Sequence, residues 1–135
     1  MKFKTLTGSL KRLPRSKKYL IDWSKSSRSK LQFETKQFLQ SYWKNHVVFE
    51  EFPMVGTKMT FDFYNANKKV AVEVQGDQHT KYVPFFHGRR SNFASQLRRD
   101  EKKLQFCKLN GIKLVEIYSD DLLTTDIFQN QGVYL

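Results

Sequence analysis

The stretch MTFDFYNANKKVAVEVQ, Met59 to Gln75, decides the fold. Two short runs rich in β-branched and aromatic residues, Met59–Tyr64 and Lys69–Gln75, flank the polar turn Asn65–Lys68. That is the pattern of a β-hairpin. Each run carries one carboxylate, Asp62 or Glu73, among largely apolar neighbours. Alternation puts Thr60, Asp62 and Tyr64 on one face of the first strand, and Ala71, Glu73 and Gln75 on one face of the second. A turn that pairs Tyr64 with Lys69 sets Asp62 opposite Ala71. Glu73 is then the diagonal neighbour of Asp62, roughly 7–8 Å away on the same face. Two acids held at this spacing suit a divalent cation, and all-oxygen ligands favour Mg²⁺ or Mn²⁺ over zinc.

The surrounding elements follow from pattern and punctuation. Ser29-Lys30-Leu31-Gln32 reads as a capping box that starts a helix at Ser29. Its apolar stripe is Leu31, Phe38, Leu39, Tyr42 and Trp43, which puts Glu34 on or beside the inward face. A strand over His46–Phe52 ends at Pro53. Gly76 to Asn92 is a long loop rich in aromatic and basic residues, and loops of that length are often functional. A second helix spans Phe93–Leu109 with a stripe of Phe93, Leu97, Leu104 and Cys107, and Asp100 in its middle. It stops at Asn110-Gly111. A last strand covers Ile112–Tyr118, and Ser119-Asp120-Asp121 caps a short helix through Leu122-Leu123. The order is α-β-β-β-α-β, an α/β domain over residues 29–123 with a mixed sheet flanked by helices, a basic arm over 1–28 and a tail over 124–135. The passage between the last two strands through the second helix fits a parallel crossover.

Charge is unevenly placed. The chain of 135 residues carries a formal net charge of +11. Residues 1–30 hold ten Lys or Arg and one acid, Asp22, which puts +9 there and leaves +2 for the remainder. A basic arm on a nearly balanced body implies a polyanionic partner, and nucleic acid is the first candidate. The expected contacts are Lys11, Arg12, Arg15, Lys17 and Lys18 in the arm, Lys81, Arg89 and Arg90 in the loop, and Arg98 and Arg99 on the second helix. Tyr82, Phe85 and Phe86 suit wedging between bases or packing the loop on itself. No apolar run reaches membrane-helix length and no secretory segment is visible, so no membrane partner is expected. The single Cys107 excludes an internal disulfide and suits core packing in a reducing cytoplasm.

The element order together with Glu34, Asp62 and Glu73-Val74-Gln75 resembles the PD-(D/E)xK nuclease superfamily, whose core is restriction-endonuclease-like. Gly76-Asp77-Gln78-His79 and Arg99-Asp100 look more like its very-short-patch-repair branch and the related Glu-Asp-x-His-Asp homing nucleases of phages. The resemblance covers residues 29–118. It lacks the motif's proline, since Thr60-Phe61 precedes Asp62, and Gln75 stands where the family keeps a lysine. It implies a Mg²⁺-dependent (or Mn²⁺-dependent) endonuclease acting on double-stranded DNA. Asp62, Glu73 and the Val74 carbonyl would hold the metal, and His79 or Gln75 would position the attacking water. Lys81 is a further substitute for the lysine. Asp100 would orient His79 and Glu34 would hold water or a second cation. Within this reading a phage-type homing endonuclease comes first, a mismatch-nicking nuclease or junction resolvase second. A binding module that has lost activity is the rival from another class. One such site cuts one strand, so double-strand cleavage calls for a homo-oligomer, a dimer or tetramer.

Overall fold

The computed structural model describes residues 1–76 and 90–135. Its elements are β1 (Lys2–Lys4), β2 (Leu10–Arg12), a 3₁₀ turn (Ser16–Tyr19), α1 (Lys30–Trp43), β3 (Val48–Pro53), β4 (Thr60–Asn65), β5 (Val70–Val74), α2 (Arg90–Leu109), β6 (Lys113–Ile117) and α3 (Thr125–Gln129). Among the described residues the strands form two sheets. β1 and β2 make a small antiparallel hairpin, and the main sheet runs β3-β4-β5-β6. Its first two pairings are antiparallel and the last is parallel, with Val72 opposite Val115. The protein is therefore a mixed α/β domain.

Two apolar clusters sandwich the main sheet. On one face Phe106 and Cys107 of α2 pack with Phe52, Phe61, Tyr64 and Ala71. On the other, Leu39 and Trp43 of α1 pack with Phe63, Val72, Val115 and Phe128. Burying aromatic and aliphatic side chains of this size contributes about 1.5–3 kcal/mol each before cavity and entropy terms. The tail is part of this packing, since Phe128 and Val133 are buried. The short helix there begins after Thr124, later than the Ser119 cap suggests.

The first helix keeps its expected start and the second its expected stop, although α2 begins at Arg90 where Phe93 was expected, and both change their faces. Ser29 Oγ accepts from the Gln32 amide at 3.1 Å, which satisfies a first-turn donor of α1. The reciprocal half of the box is absent, because the Gln32 side chain turns to Glu50 and Glu51. The buried side chains of α1 are Gln32, Thr35, Lys36, Leu39 and Trp43. Tyr42 is exposed, and so is Glu34. On α2, Leu97 and Leu104 are exposed while Phe106 and Cys107 are buried, so the inward stripe is rotated from the expected one. α2 ends in a Schellman motif. Gly111 takes φ 65°, the Ile112 amide donates to Cys107 O at 2.8 Å, and the Gly111 amide reaches Lys108 O at 3.5 Å.

The basic arm folds against the domain. Phe3 of β1 is buried with edge contacts to Phe52 and Tyr64 at 5.8 and 6.1 Å. The Lys4 amide donates to Asn110 Oδ1 at 2.7 Å, and Asn110 Nδ2 donates to Lys4 O at 2.9 Å. Farther along, Leu20 bridges Phe49 and the Ile21 amide donates to Val48 O, covering part of the β3 edge.

Candidate metal and nucleic-acid site

Asp62 and Glu73 meet where β4 and β5 part. The ladder between these strands pairs Asn65 with Val70, Tyr64 with Ala71 and Phe63 with Val72, and ends there. This register differs from the expected one. Asn65 belongs to the strand, because its side-chain oxygen accepts from the Lys68 amide at 3.0 Å and closes the turn from outside. Lys69 takes the positive φ of 56° instead. Continuing this register sets Asp62 opposite Glu73 itself, where Ala71 was expected. Beyond the last pair the carboxylates replace the missing ladder bonds. The Asp62 amide donates to Glu73 Oε1 at 3.2 Å, and the Val74 amide donates to Asp62 Oδ2 at 2.7 Å.

Strict alternation also breaks here. Phe61 and Tyr64 share one apolar cluster while Phe63 lies in the other. The facing strand β3 does the same, with Phe49 and Phe52 on one side. The reversal falls at Glu51, a non-glycine residue at φ 52° inside a strand. Such a conformation costs on the order of 1–3 kcal/mol and is tolerated where surroundings over-determine it. Glu51 is held by Gln32 Nε2 at 3.1 Å, by Thr60 Oγ1 at 3.3 Å, and by Arg28 Nε at 3.7 Å.

Cations complete the cluster from both faces. Arg28, just ahead of α1, donates to Asp62 Oδ1 at 3.1 Å. Lys103 of α2 donates to Glu73 Oε2 at 2.7 Å. Every oxygen of the two carboxylates thus has a donor. Asp62 and Glu73 are nonetheless strained electrostatically. Burial raises the Asp62 pKa, with nearby Glu51 adding and the Val74 amide, Arg28 and Lys103 opposing. Burial, then the charge of Asp62, pushes Glu73 up to about 7 against the pull of Lys103.

Could these residues hold a metal? Among the described residues no group of three or more His, Cys, Asp or Glu is gathered for one. Asp62 and Glu73 offer buried hard oxygens, and burial with the charge of Asp62 holds Glu73 near 7 despite its bond from Lys103. That donor set fits a small divalent cation which displaces Arg28 or Lys103.

Glu34 does not join the pair; it lies on the exposed side of α1, 3.9 Å from Lys30. Asp100 sits one turn ahead of Lys103 and acts electrostatically on Tyr118, whose hydroxyl burial and Glu116 push up to about 12. Gln75 is half-buried, and its backbone N–H donates to Ile117 O at 2.7 Å. His79, Lys81 and Arg89, the aromatic candidates Tyr82, Phe85 and Phe86, and the side chain of Arg90 lie outside the described residues. Lys11, Arg12, Arg15, Lys17, Lys18, Arg98 and Arg99 are all exposed. Cys107 is buried in the core, its thiol pushed up to about 12 mainly by that burial. Sequence reasoning missed Arg28, Glu51 and Lys103. The signals for them were the Glu50-Glu51 doublet inside an apolar strand, and the placement of Lys103 four residues before Cys107.

The chain has relatives among uncharacterized viral proteins. It is 30% identical over 98 residues to protein 033L of Invertebrate iridescent virus 3, covering 69% of this chain and 50% of the relative. It is 41% identical over 66 residues to protein 094L of Frog virus 3 (isolate Goorha), covering 48% and 43%. It is 37% identical over 59 residues to protein 307L of Invertebrate iridescent virus 6, covering 44% and 30%. The chain thus spans half or less of the length of these relatives. No family model matches, and no solved structure matches significantly. Among the described residues no helix is long and apolar enough to cross a membrane.

Proposed function

We propose that the protein is a metal-dependent DNA endonuclease of the PD-(D/E)xK type with a restriction-endonuclease-like core. The observation that carries this reading is the fork itself. Two buried carboxylates on adjacent strands take over each other's backbone bonds where the ladder ends. Apolar strands rarely bury two acids side by side without a cation to neutralise them. The flanking order of helix, three antiparallel strands, helix and parallel strand supports the same reading.

Asp62, Glu73 and the Val74 carbonyl would hold Mg²⁺ or Mn²⁺. When bound, such an ion lowers the pKa of water and stabilises charge on a phosphoryl group. Lys103 brings to Glu73 the ammonium that Gln75 lacks at the family's lysine position. In this reading it would hold a water or a phosphate oxygen beside that carboxylate. Arg28, already at Asp62 and largely exposed, suits a non-bridging phosphate oxygen through its fork of donors. His79 keeps its proposed part in moving the proton. A homo-oligomer would cut both strands, and a single copy would nick.

The test is incubation of supercoiled plasmid with the protein in Mg²⁺ or in EDTA. Linear product in Mg²⁺ alone supports an oligomeric endonuclease, and open circles support a nickase. Asp62→Asn and Glu73→Gln should each abolish cleavage while leaving DNA binding largely intact; cleavage retained in either would falsify the metal assignment. A non-catalytic nucleic-acid-binding module is the second reading. It is favoured by Arg28 and Lys103, which already pair with the two acids inside the chain. Tight DNA binding without cleavage in any divalent metal decides for it.

A further inference from the structure

We propose that a furrow between the β1–β2 hairpin, the turn at Gly56 and α2 is the track for the phosphodiester backbone of a nucleic acid. This rests on the nucleic-acid reading above and gives it a path. Two clefts of about 790 and 590 Å³ share Lys11 and Gly56 and so form one furrow. Lys58, Arg99 and Lys102 line the first with Lys11, and Arg12, Arg15 and Lys18 line the second. Among the described residues no Asp or Glu lines either one. A third cleft of about 430 Å³ shares Lys18 and Tyr19 with the second. There the acids begin, with Asp22, Glu50 and Glu51 beside Lys25 and Arg28. Arg28 in turn holds Asp62. The furrow therefore runs from a strongly positive wall to the carboxylate fork.

Its shape and rigidity suit a repeating anion. Cations strung along a concave path match phosphates at regular spacing, whereas a bilayer is flat. Hydroxyls of Thr5, Thr7, Ser9 and Thr57 line the first cleft among the cations. Thr5 Oγ1 bonds the Thr7 and Ser9 hydroxyls at 2.9 and 2.8 Å, which fixes the hairpin loop. A Cβ added at Gly56 would lie 3.1 Å from Thr5 Cγ2, so hairpin and turn are in contact. With Phe3 in the core and Lys4 stitched to Asn110, the basic wall is preformed. Lys58 and Lys102, outside the arm, belong to it as much as the arm lysines do.

The experiment measures binding of a short fluorescent DNA duplex by anisotropy across a salt series, in EDTA. The groove variant is Lys11→Gln, Lys58→Gln and Lys102→Gln combined. The control combines Lys30→Gln, Lys44→Gln and Lys69→Gln, which remove the same charge elsewhere. The groove variant should lower the slope of log K against log salt by about 2.7, near 0.9 per phosphate contact. The control should keep the wild-type slope, and replacing the three groove lysines by Arg should retain it too. Equal slopes in groove variant and control overturn the track. So does polyglutamate binding as tight as DNA binding. An RNA duplex that shows this loss, where the DNA duplex does not, keeps the track and assigns it to RNA. Because no metal is present, failure of plasmid cleavage leaves this result standing.

Discussion

Two lysine–glutamate pairs lie on opposite faces of the sheet at the same distance of 2.7 Å, and they do different work. Lys36 is fully buried and spends all three protons, on Glu50 and on the carbonyls of Asp22 and Lys25. The other oxygen of Glu50 accepts from Ser27 and Gln32. That pair is closed, and it clamps residues 22–27 to α1 and β3. Lys103 faces Glu73 with Asp62 pressed against the same carboxylate. Arg28 and Lys103 bring one cation to each buried acid there, yet burial and the charge of Asp62 keep Glu73 poised near neutrality. A satisfied pair holds structure, while an under-neutralised pair invites a further cation.

The contrast can be broken most easily at Lys36. Lys36→Met leaves Glu50 and two carbonyls without their shared donor, and should cost about 3–5 kcal/mol in urea unfolding. A loss under 1 kcal/mol would mean that the clamp is replaceable by packing.

The next effect is one of pH. Glu73 has its folded pKa raised to about 7 from an ordinary 4.5. Between those values the folded state binds the proton more tightly than the unfolded state. Stability from this group is therefore present at low pH and lost as pH rises from 4.5 through 7. The change is about 3 kcal/mol, and it should shrink in Glu73→Gln. Asp62, also raised, acts in the same direction. Urea midpoints at both ends of that window measure it; a wild type steadier at high pH would contradict it. Mg²⁺ should reverse the trend, stabilising most where Glu73 is ionised.

Lys103→Met comes third, at about 1 kcal/mol near neutral pH and less in acid, because protonation of Glu73 removes the need for its partner. If it costs as much as Lys36→Met, the two pairs are equivalent and the comparison fails. Glu34→Gln is the smallest, within about 0.5 kcal/mol, since an exposed i,i+4 pair contributes little. It should leave plasmid cleavage unchanged, and a lost activity would return Glu34 to the site.

Local signals in the sequence proved reliable. The hairpin strands, the Ser29 cap and the Asn110-Gly111 stop each depend on a few adjacent residues, and each stands. The acid pair was visible because two carboxylates interrupt apolar runs. Its register was not, because Asn65 closes the turn by a side-chain bond that composition does not reveal. Glu34 misled because α1 buries Gln32, Thr35 and Lys36, polar side chains paid no attention by an apolar-stripe reading. Glu51 was hidden by its reversed backbone, and Lys103 by the rotation of α2. The docking of the arm through Phe3 was not visible because Phe3 is a single apolar residue whose partners, Phe52, Tyr64 and Phe106, lie far along the chain.

That last attachment has a consequence for the order of folding. Lys4 and Asn110 are bonded across a separation of 106 residues. The hairpin is synthesised long before the helix end that receives it. Until α2 is complete, Phe3 has no finished pocket and the edge of β1 has no partner there. Docking of the basic wall is thus a late, long-range step, slow by the loop it must close. A chain interrupted within α2 would carry its lysines on an undocked hairpin, and the furrow would exist only once synthesis had passed the Asn110 turn.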